Sequence, residues 1–247
     1  MPVDKSSERV RRMFGGIAGR YDFLNHLLSL GIDHYWRRRT VRLVPPRTQA
    51  GSRQQQPILD VCTGTGDLAL AYDRAARGTT PIIATDFSPE MLAIGQQKAK
   101  RAGAGGRLTF LEADTQSLPL SSDQFQIVCV AFGLRNIADT NRGLAEMVRV
   151  AAPGGRVAVL EFSTPSRPPL RLLYGWYFRH MLPRIGRLFA RQSGDAYEYL
   201  PASVGEFPQG DALCQRMRDA GLADVRSYPL TFGVATLYVG TKRMTND

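Results

Sequence analysis

Five residues in two neighbouring stretches have the types and spacing to bind a nucleotide-like ligand. Asp60 ends a short apolar run, and Gly64, Thr65 and Gly66 follow it in the order Asp-Val-Cys-Thr-Gly-Thr-Gly. A second acid, Asp86, ends the next apolar run. Glycines let a backbone approach a ligand closely because they lack a Cβ atom. Since an acid at the end of a second strand often accepts hydrogen bonds from ribose hydroxyls, we expect a ribose-containing ligand here.

The spacing of these residues excludes two common nucleotide motifs. The three-glycine pattern of dinucleotide-binding proteins is absent, and so is the Gly-Lys-Ser/Thr sequence of phosphate-binding loops. An acid before the first glycine, in place of a phosphate-binding lysine, favours a cationic ligand. This combination resembles the class I methyltransferases, whose methyl donor S-adenosylmethionine (SAM) carries a sulfonium cation.

Strands and helices alternate along the stretch that must position these residues. Apolar runs predict strands over residues 58–62, 82–86, 108–112, 126–132 and 156–162. Helical patterns fill the gaps near 67–77, after Ser88-Pro89 and near 141–150, and a Pro153-Gly154-Gly155 turn precedes the last strand. The alternation predicts an α/β fold with a doubly wound, mostly parallel sheet. The carboxyl ends of these strands, where ligands bind in such sheets, carry Asp60, Asp86, Asp114, Phe132 and Glu161.

The flanking segments complete one predicted methyltransferase domain over residues 1–247. Residues 1–44 form a helical cover, in which 8–44 has a helical pattern, and residues 45–57 form a proline- and glutamine-rich loop. The core spans 58–163, and 165–208 is an insertion that faces substrate or membrane. Residues 209–241 give a helix near 211–220 and an antiparallel hairpin of 225–230 with 234–241 at the sheet edge.

The charge of the chain points to an anionic partner. The formal net charge is +10, which suits either nucleic acid or an acidic lipid surface, although arginine also simply promotes solubility. Residues 165–191 contain six arginines and no carboxylate, with aromatic and aliphatic residues between them. That composition is typical of a helix lying on an anionic bilayer. The same composition also fits an amphipathic helix packed on the domain.

Several features favour a cytoplasmic protein, at most attached to the inner face of the cytoplasmic membrane. No run of about 18 apolar residues is present. The N-terminus lacks the apolar segment of a signal peptide. Cys62, Cys129 and Cys214 are widely spaced, and we expect them to be buried, reduced thiols.

Longer stretches carry a more specific resemblance. They are Tyr21-Asp22-x-Leu24-Asn25 with Trp36, the Asp60–Leu68 stretch, Asp86-Phe87-Ser88, Phe132-Gly133-Leu134-Arg135-Asn136, Pro153-Gly154-Gly155 and Glu161-Phe162-Ser163. With them the chain resembles the ubiquinone/menaquinone-biosynthesis C-methyltransferases over nearly its whole length, and most of all the demethylmenaquinone methyltransferases. Two departures are Leu24, where Met is usual, and Asp33, where His is usual and His34 is shifted by one position.

The resemblance implies methyl transfer from SAM to a ring carbon of a prenylated naphthoquinol, converting demethylmenaquinol to menaquinol and S-adenosylhomocysteine without a metal. Within it, Asp86 is expected to bind the ribose hydroxyls and Asp114 the adenine amino group. Asp60 would face the sulfonium and amino-acid end of SAM or orient the turn. The residues expected to contact SAM are Asp60, Gly64, Thr65, Gly66, Asp86, Phe87, Ala113, Asp114 and Ala131.

The acceptor chemistry requires a phenol that loses its proton, because the adjacent ring carbon then becomes nucleophilic. A free phenol has a pKa near 10, so the site must stabilise the developing phenolate. We expect Arg135 to do so as a cation, since arginine is a poor base. Tyr21 and Asn136 would orient the ring oxygens, and Asp22 and His26 are weaker candidates.

Other functions remain open at this point. A benzoquinol precursor of ubiquinone is an alternative acceptor, and the prenyl length, the proton acceptor and the oligomeric state are undetermined. A nucleic-acid methyltransferase would carry an Asn/Asp-Pro-Pro-Tyr/Phe motif after the fourth strand. Phe132-Gly133-Leu134-Arg135 stands there instead, so we expect no nucleic-acid substrate. A SAM-binding module without catalysis is disfavoured by Arg135 and Asn136.

Overall fold

A mostly parallel sheet organises the computed structural model, which describes residues 7–47, 55–165, 167–176, 180–181 and 194–244. The strands of this described part are β1 (Ile58–Val61), β2 (Ile82–Asp86), β3 (Leu108–Glu112), β4 (Phe125–Ala131), β5 (Ala151–Phe162), β6 (Leu222–Leu230) and β7 (Ala235–Lys242). Their order across the sheet is β3-β2-β1-β4-β5-β7-β6. Strands β1 to β5 are parallel, and β7 runs antiparallel to both β5 and β6. The predicted doubly wound fold and C-terminal hairpin are confirmed.

Helices cover both faces of the sheet. The α-helices are α1 (Ser7–Leu28), α2 (Ile32–Leu43), α3 (Asp67–Ala75), α4 (Pro89–Arg101), α5 (Thr140–Val150), α6 (Pro168–Trp176), α7 (Gly194–Glu206) and α8 (Asp211–Asp219). Helices α2, α3 and α4 pack on one face, and α5 and α8 pack on the other. Because successive strand residues point to opposite faces, Ile58 joins the first core and Leu59 the second.

N-cap residues fix where α4 and α5 begin, near the carboxyl ends of β2 and β4. The Ser88 side chain accepts a hydrogen bond from the Met91 N–H at 3.4 Å, and Pro89 occupies the first helical turn of α4. Asp139 caps α5 in the same way. Such caps satisfy backbone N–H groups that have no partner inside the helix. They therefore fix where the loops after β2 and β4 end.

Residues 8–44, predicted as helical, form two helices, α1 and α2. The helical pattern breaks after Leu28, and Leu30 and Gly31 take left-handed conformations with φ of 51° and 75°. Asp33, at the start of α2, accepts hydrogen bonds from Ser29 at 2.7 Å and from Arg37, and it pairs with His26 at 2.8 Å. The joint between α1 and α2 is thus held by one buried carboxylate.

The turn predicted at Pro153-Gly154-Gly155 is wrong, because β5 is continuous from Ala151 to Phe162. Phe125 pairs with Ala151, whereas Ile127 pairs with Arg156, so the register against β4 shifts between them. The additional residues form a bulge in β5, and Gly154 accommodates it with φ of 71°.

Phe110 of β3 packs against Gly66, in the glycine loop after β1, and against Gly95 of α4. These two glycines let the glycine loop lie close to α4. A Cβ atom on Gly95 of α4 would lie 2.6 Å from the Phe110 ring, and one on Gly66 would lie 3.2 Å from it. Real Cβ atoms do not approach ring carbons so closely. The two glycines therefore let the ring fill the space between β3, α4 and the start of α3.

We predict that Gly95→Ala destabilises the protein by up to about 2 kcal/mol, because overpacking costs about 1–3 kcal/mol and is only partly offset by the roughly 1 kcal/mol that Ala gains in a helix. Gly16→Ala in α1 is the matched control, since nothing lies within 4 Å of its Cβ position. It should be neutral or slightly stabilising. Urea unfolding measures both variants, and equal stability of the two would contradict this account of the packing.

Candidate functional site

Two adjoining cavities open at the carboxyl ends of β1 and β4, where the strand order of the parallel sheet reverses. The larger has a volume of about 660 Å³ with its open mouth included, and the smaller about 320 Å³. Tyr21, Cys62 and Ala131 line both cavities. Ligands in doubly wound sheets bind at this reversal point.

Most of the predicted SAM-binding residues lie on these walls. Gly64, Asp86, Phe87 and Asp114 line the larger cavity, together with Asn136. Asp60 and Thr65 line the smaller one. Gly66 and Ala113 line neither of the two.

The larger cavity is bounded by α1, as expected for a helical cover. Val10 and Tyr21 both contribute to its wall, and Val10 is fully buried there. The Tyr21 ring lies over the ligand loop, 3.7 Å from the position of a Cβ atom on Gly64. The first helix of the chain therefore closes the cavity above the glycine loop.

Asp86 fixes the conformation of the glycine loop. Its Oδ2 accepts the Gly64 N–H at 2.8 Å and its Oδ1 accepts the Ser88 N–H at 3.0 Å. Gly64 has a φ of 57°, a conformation that glycine adopts without steric cost. Burial raises the pKa of the Asp86 carboxyl above its ordinary value, while these backbone N–H groups lower it.

Asp60 is the most deeply buried acid of the two cavities. Burial raises the pKa of its carboxyl to about 7, against the hydrogen bonds that favour the charged form. Those bonds come to Oδ2 from the Thr63 hydroxyl at 2.6 Å and from the Ala69 N–H at 3.1 Å. A cation in the smaller cavity would stabilise the ionised carboxylate, so this cavity favours a positively charged ligand.

Ion pairs fasten the cover to the loop below it. Lys98 of α4 reaches Asp22 of α1 at 2.7 Å and the Thr65 hydroxyl of the loop at 3.1 Å, and it also bonds Asp67. The Thr65 hydroxyl donates to Asp22 at 2.5 Å. Asp22 thus takes part in this cluster, while His26 pairs with Asp33 at the joint between α1 and α2.

Arg135 lies beside the larger cavity in a buried ion pair. Its Nη1 donates to Glu161 Oε2 at 2.8 Å and to the Phe132 carbonyl, and its backbone N–H donates to Glu161 Oε1 at 3.1 Å. The guanidinium also stacks 5.2 Å from the centre of the Phe162 ring. Arg135 itself does not line the two cavities. Its Nε is nevertheless buried without a partner among the described residues.

The two other predicted catalytic residues reach the cavity wall. Asn136 donates to the Phe132 carbonyl at 3.4 Å, and its Oδ1 is buried without a partner in the described part of the chain. Burial raises the pKa of the Tyr21 phenol, although a hydrogen bond with Asn25 and the charge of Arg135 act in the opposite direction. Tyr21 therefore stays protonated near neutral pH and can donate a hydrogen bond into the cavity.

Two non-glycine residues at the centre of the site have left-handed backbones. Cys62, after β1, has a φ of 49°, and Phe132, after β4, has a φ of 60°. Such conformations cost about 1–3 kcal/mol each and cluster at functional sites. Next to them, a Cβ atom on Gly133 would lie only 2.4 Å from that of Cys62, so the loop after β4 passes the loop after β1 at the closest distance that glycine permits.

Sequence reasoning missed Arg37, which lines the smaller cavity. Its side chain is buried between Asp33 and Asp67, and its guanidinium lies 5.8 Å from the centre of the Phe132 ring. The available signal was the i, i+4 spacing of Asp33 and Arg37, which places the two side chains on one side of a helix.

We predict that Asp60→Asn makes SAM binding weaker and less dependent on pH. In the wild type, affinity should rise between about pH 6 and pH 8, because the carboxylate ionises with a pKa near 7 and then attracts the cation. Calorimetric titrations at several pH values test this. A steep rise that persists in Asp60→Asn would assign the pH dependence to another group.

The same substitution should stabilise the donor-free protein at alkaline pH. A folded-state pKa above the unfolded value gives stability that is present at acid pH and lost as pH rises through about 7. Since asparagine carries no charge, this loss should vanish from the variant. Thermal melts of both proteins from acid to alkaline pH measure it, and parallel curves would contradict the burial of a titrating Asp60.

Comparison with known proteins agrees with this geometry. A demethylmenaquinone methyltransferase from Thermus thermophilus is 47% identical over 230 residues, covering 93% of this chain and 100% of its own length. The ubiquinone/menaquinone biosynthesis C-methyltransferase UbiE of a Geobacter species (strain M21) is 45% identical over 240 residues, covering 97% of this chain and 99% of its own.

The fold is also found in a solved structure of low sequence similarity. A SAM-dependent methyltransferase from Thermotoga maritima superimposes with a TM-score of 0.64 at 15% identity, covering 95% of this chain and 100% of its own. A sequence profile described as the ubiE/COQ5 methyltransferase family matches residues 3–242. With this match and relatives more than 40% identical over nearly the whole chain, the protein belongs to the ubiE/COQ5 methyltransferase family.

Proposed function

We propose that this protein transfers a methyl group from SAM to a ring carbon of a prenylated quinol, with demethylmenaquinol as the acceptor. The observation that carries the proposal is the pair of cavities that meet at Tyr21 and Ala131. Two buried acids suit a cationic nucleoside: Asp86 on the wall of the larger cavity and Asp60 on that of the smaller one. The protonated Tyr21 phenol and Asn136 stand where a phenolic ring would enter. The names of the relatives include both quinone types, so a benzoquinol acceptor is the second candidate.

The donor side follows from the acids and the glycine loop. When bound, SAM supplies an electrophilic methyl group on a sulfonium, so the protein needs no activating group there. Asp86 accepts from the ribose hydroxyls with the lone pairs that Gly64 and Ser88 leave free. Asp114 borders the adenine. Asp60 opposes the positive end of the donor.

The acceptor side must stabilise negative charge on a phenol oxygen as the ring carbon attacks. Tyr21, kept protonated by burial, donates a hydrogen bond to a ring oxygen. The Asn136 side chain, with an unpartnered acceptor, orients a ring hydroxyl. The Arg135 guanidinium, itself buried, supplies positive potential beside the site, and preorganised charge of this kind stabilises a developing anion. The phenol proton leaves as the ring carbon takes the methyl group and S-adenosylhomocysteine departs. The hydrogen on the methylated carbon is then lost as a proton while the ring oxygen regains one, which restores the aromatic quinol. One proton is released per transfer.

The proposal includes contact with an anionic membrane, which holds prenylated quinols. In α6, Leu172 and Trp176 are exposed at 70% and 50%, and the side chains of Arg167 and Arg171 are exposed as well. This pattern suits an interfacial helix. Arg179, Arg184, Arg187 and Arg191 lie outside the described residues. Among the described helices, none has the length and apolar character to cross a bilayer.

The test is methylation of defined acceptors. We expect isotopically labelled methyl from SAM to appear in demethylmenaquinol, detected by mass spectrometry of the extracted lipid. A demethylated benzoquinol precursor offered in parallel separates the two acceptor classes. Asp86→Asn is the control, because it weakens the ribose acceptor while keeping the volume. Label in neither quinol, with SAM still bound, would refute the proposed substrate class.

We predict that Arg135→Gln lowers turnover about 10²- to 10³-fold, as expected for the loss of one electrostatic stabiliser, while SAM affinity stays within about threefold. The variant leaves Glu161 as an unpaired buried carboxylate, which destabilises the fold by several kcal/mol. The double variant Arg135→Gln/Glu161→Gln removes that charge and should regain stability. If turnover returns with stability, the role of Arg135 is structural rather than catalytic.

A further inference from the structure

A basic groove lies between α2, α3 and α4, on the helical layer beside the cover. Two adjoining depressions form it, of about 870 and 990 Å³ with the open space at their mouths included, and they share Arg38, Ala71 and Arg74. Arg101 at the end of α4 and Arg42 near the end of α2 extend its walls. We call this feature the α2–α4 groove.

Four arginines of the groove carry uncompensated charge. Arg38, Arg42, Arg74 and Arg101 are exposed, and in the part of the chain that the structure describes their side chains have no hydrogen-bond or ion-pair partner. One carboxylate, Asp67, lines the groove, and it is already bonded to Lys98 and close to Arg37. The groove therefore presents about four free positive charges in one concavity.

This arrangement differs from an ordinary solvated surface, where charges of both signs alternate. Like charges gathered in a concave site repel one another and focus a positive potential toward solvent. Guanidinium groups match phosphate oxygens through paired, charge-assisted hydrogen bonds. The natural occupant is thus an anion with phosphate oxygens.

The apolar floor of the groove indicates which class of anion it binds. It is formed by aliphatic side chains such as Leu70, Ala71 and Val41, with Pro46 and Ala75 beside them. The imidazole of His34 is the one aromatic ring among its described lining residues, whereas proteins that bind single-stranded nucleic acid stack successive bases on several rings. Phosphate-binding walls above an apolar floor suit an amphiphilic anion.

We propose that the α2–α4 groove binds the headgroup of an anionic phospholipid, with its phosphate between Arg38 and Arg74 and its glycerol region on the aliphatic floor. The groove adjoins the smaller cavity through Arg37 and Asp67, which line both. A phospholipid there would hold the cover side of the molecule against the bilayer. This site is separate from α6, and it does not depend on which acceptor is methylated.

The test compares vesicles of phosphatidylcholine with and without phosphatidylglycerol, using the full chain and co-sedimentation. Each basic residue at a membrane surface contributes about fivefold in affinity, so Arg38→Gln/Arg74→Gln should weaken binding to the anionic vesicles about 30-fold. The matched control Arg216→Gln/Arg226→Gln removes the same charge from exposed positions at the far edge of the sheet. This control should change binding by no more than about twofold, because its two charges lie farther than a Debye length from a membrane bound at the groove.

Two further arms separate other sources of phosphate. A short-chain phosphatidylglycerol below its micelle concentration should bind more tightly than inorganic phosphate, since only the lipid contacts the floor. SAM titration of each variant shows that the fold and donor site are intact, independent of any methylation result. Equal losses in the groove and control variants would overturn the proposal. Loss confined to Arg171→Gln in α6, equal binding of inorganic phosphate, or groove-dependent binding of an oligoribonucleotide without vesicle binding would do the same.

Discussion

Burial of two carboxylates at the carboxyl ends of neighbouring parallel strands is the constraint on which the site depends. Asp60 and Asp86 lose solvent there, and their pKa values rise as a result. Backbone N–H groups of the surrounding loops replace part of that solvent, and the Gly64 N–H does so directly at 2.8 Å. The loop conformation and the negative potential of the cavities thus have the same origin. A cationic ligand would further stabilise the charge of these carboxylates, which the backbone N–H groups stabilise in part.

Charge also joins the cover to the core. Lys98 and Arg37 lie among three carboxylates that come from α1, from the start of α2 and from the start of α3. Ion pairs on an open surface contribute little. These are partly withdrawn from solvent and share partners, so a displacement of α1 disturbs the hydrogen bond to Thr65 in the ligand loop. The position of the cover and the shape of the loop are therefore coupled.

The buried Arg135 repeats this principle with the opposite sign of charge. The Arg135 cation is buried against Glu161 of β5, and the loop that carries it passes Cys62 at a distance only glycine allows. Left-handed backbones at Cys62 and Phe132 persist because the loops after β1 and β4 constrain each other. The loop after β1 borders both cavities and the loop after β4 borders the larger one, so strained backbone lies at the wall of the site.

The sequence by itself determined the order of strands and helices and the acids that end the strands. Residues 82–86 and 108–112 match their strands to the residue, because short apolar runs between turn signals are local features. The glycine loop and the Ser88 cap are local in the same sense. The C-terminal hairpin could be predicted because each of its two strands is an uninterrupted strand pattern in the sequence.

Only the tertiary structure decided which charges are buried and what they bond. Arg37 and Arg38 are neighbours in sequence, yet Arg37 points into the site and Arg38 into the α2–α4 groove. Arg135 has its partner 26 residues away, on a strand it meets only in the folded sheet. The bulge in β5 likewise depends on how β5 pairs with β4. Periodicity in the sequence shows which side of a helix or strand is apolar. Which buried charges pair depends on the other elements that pack against that side in the folded protein.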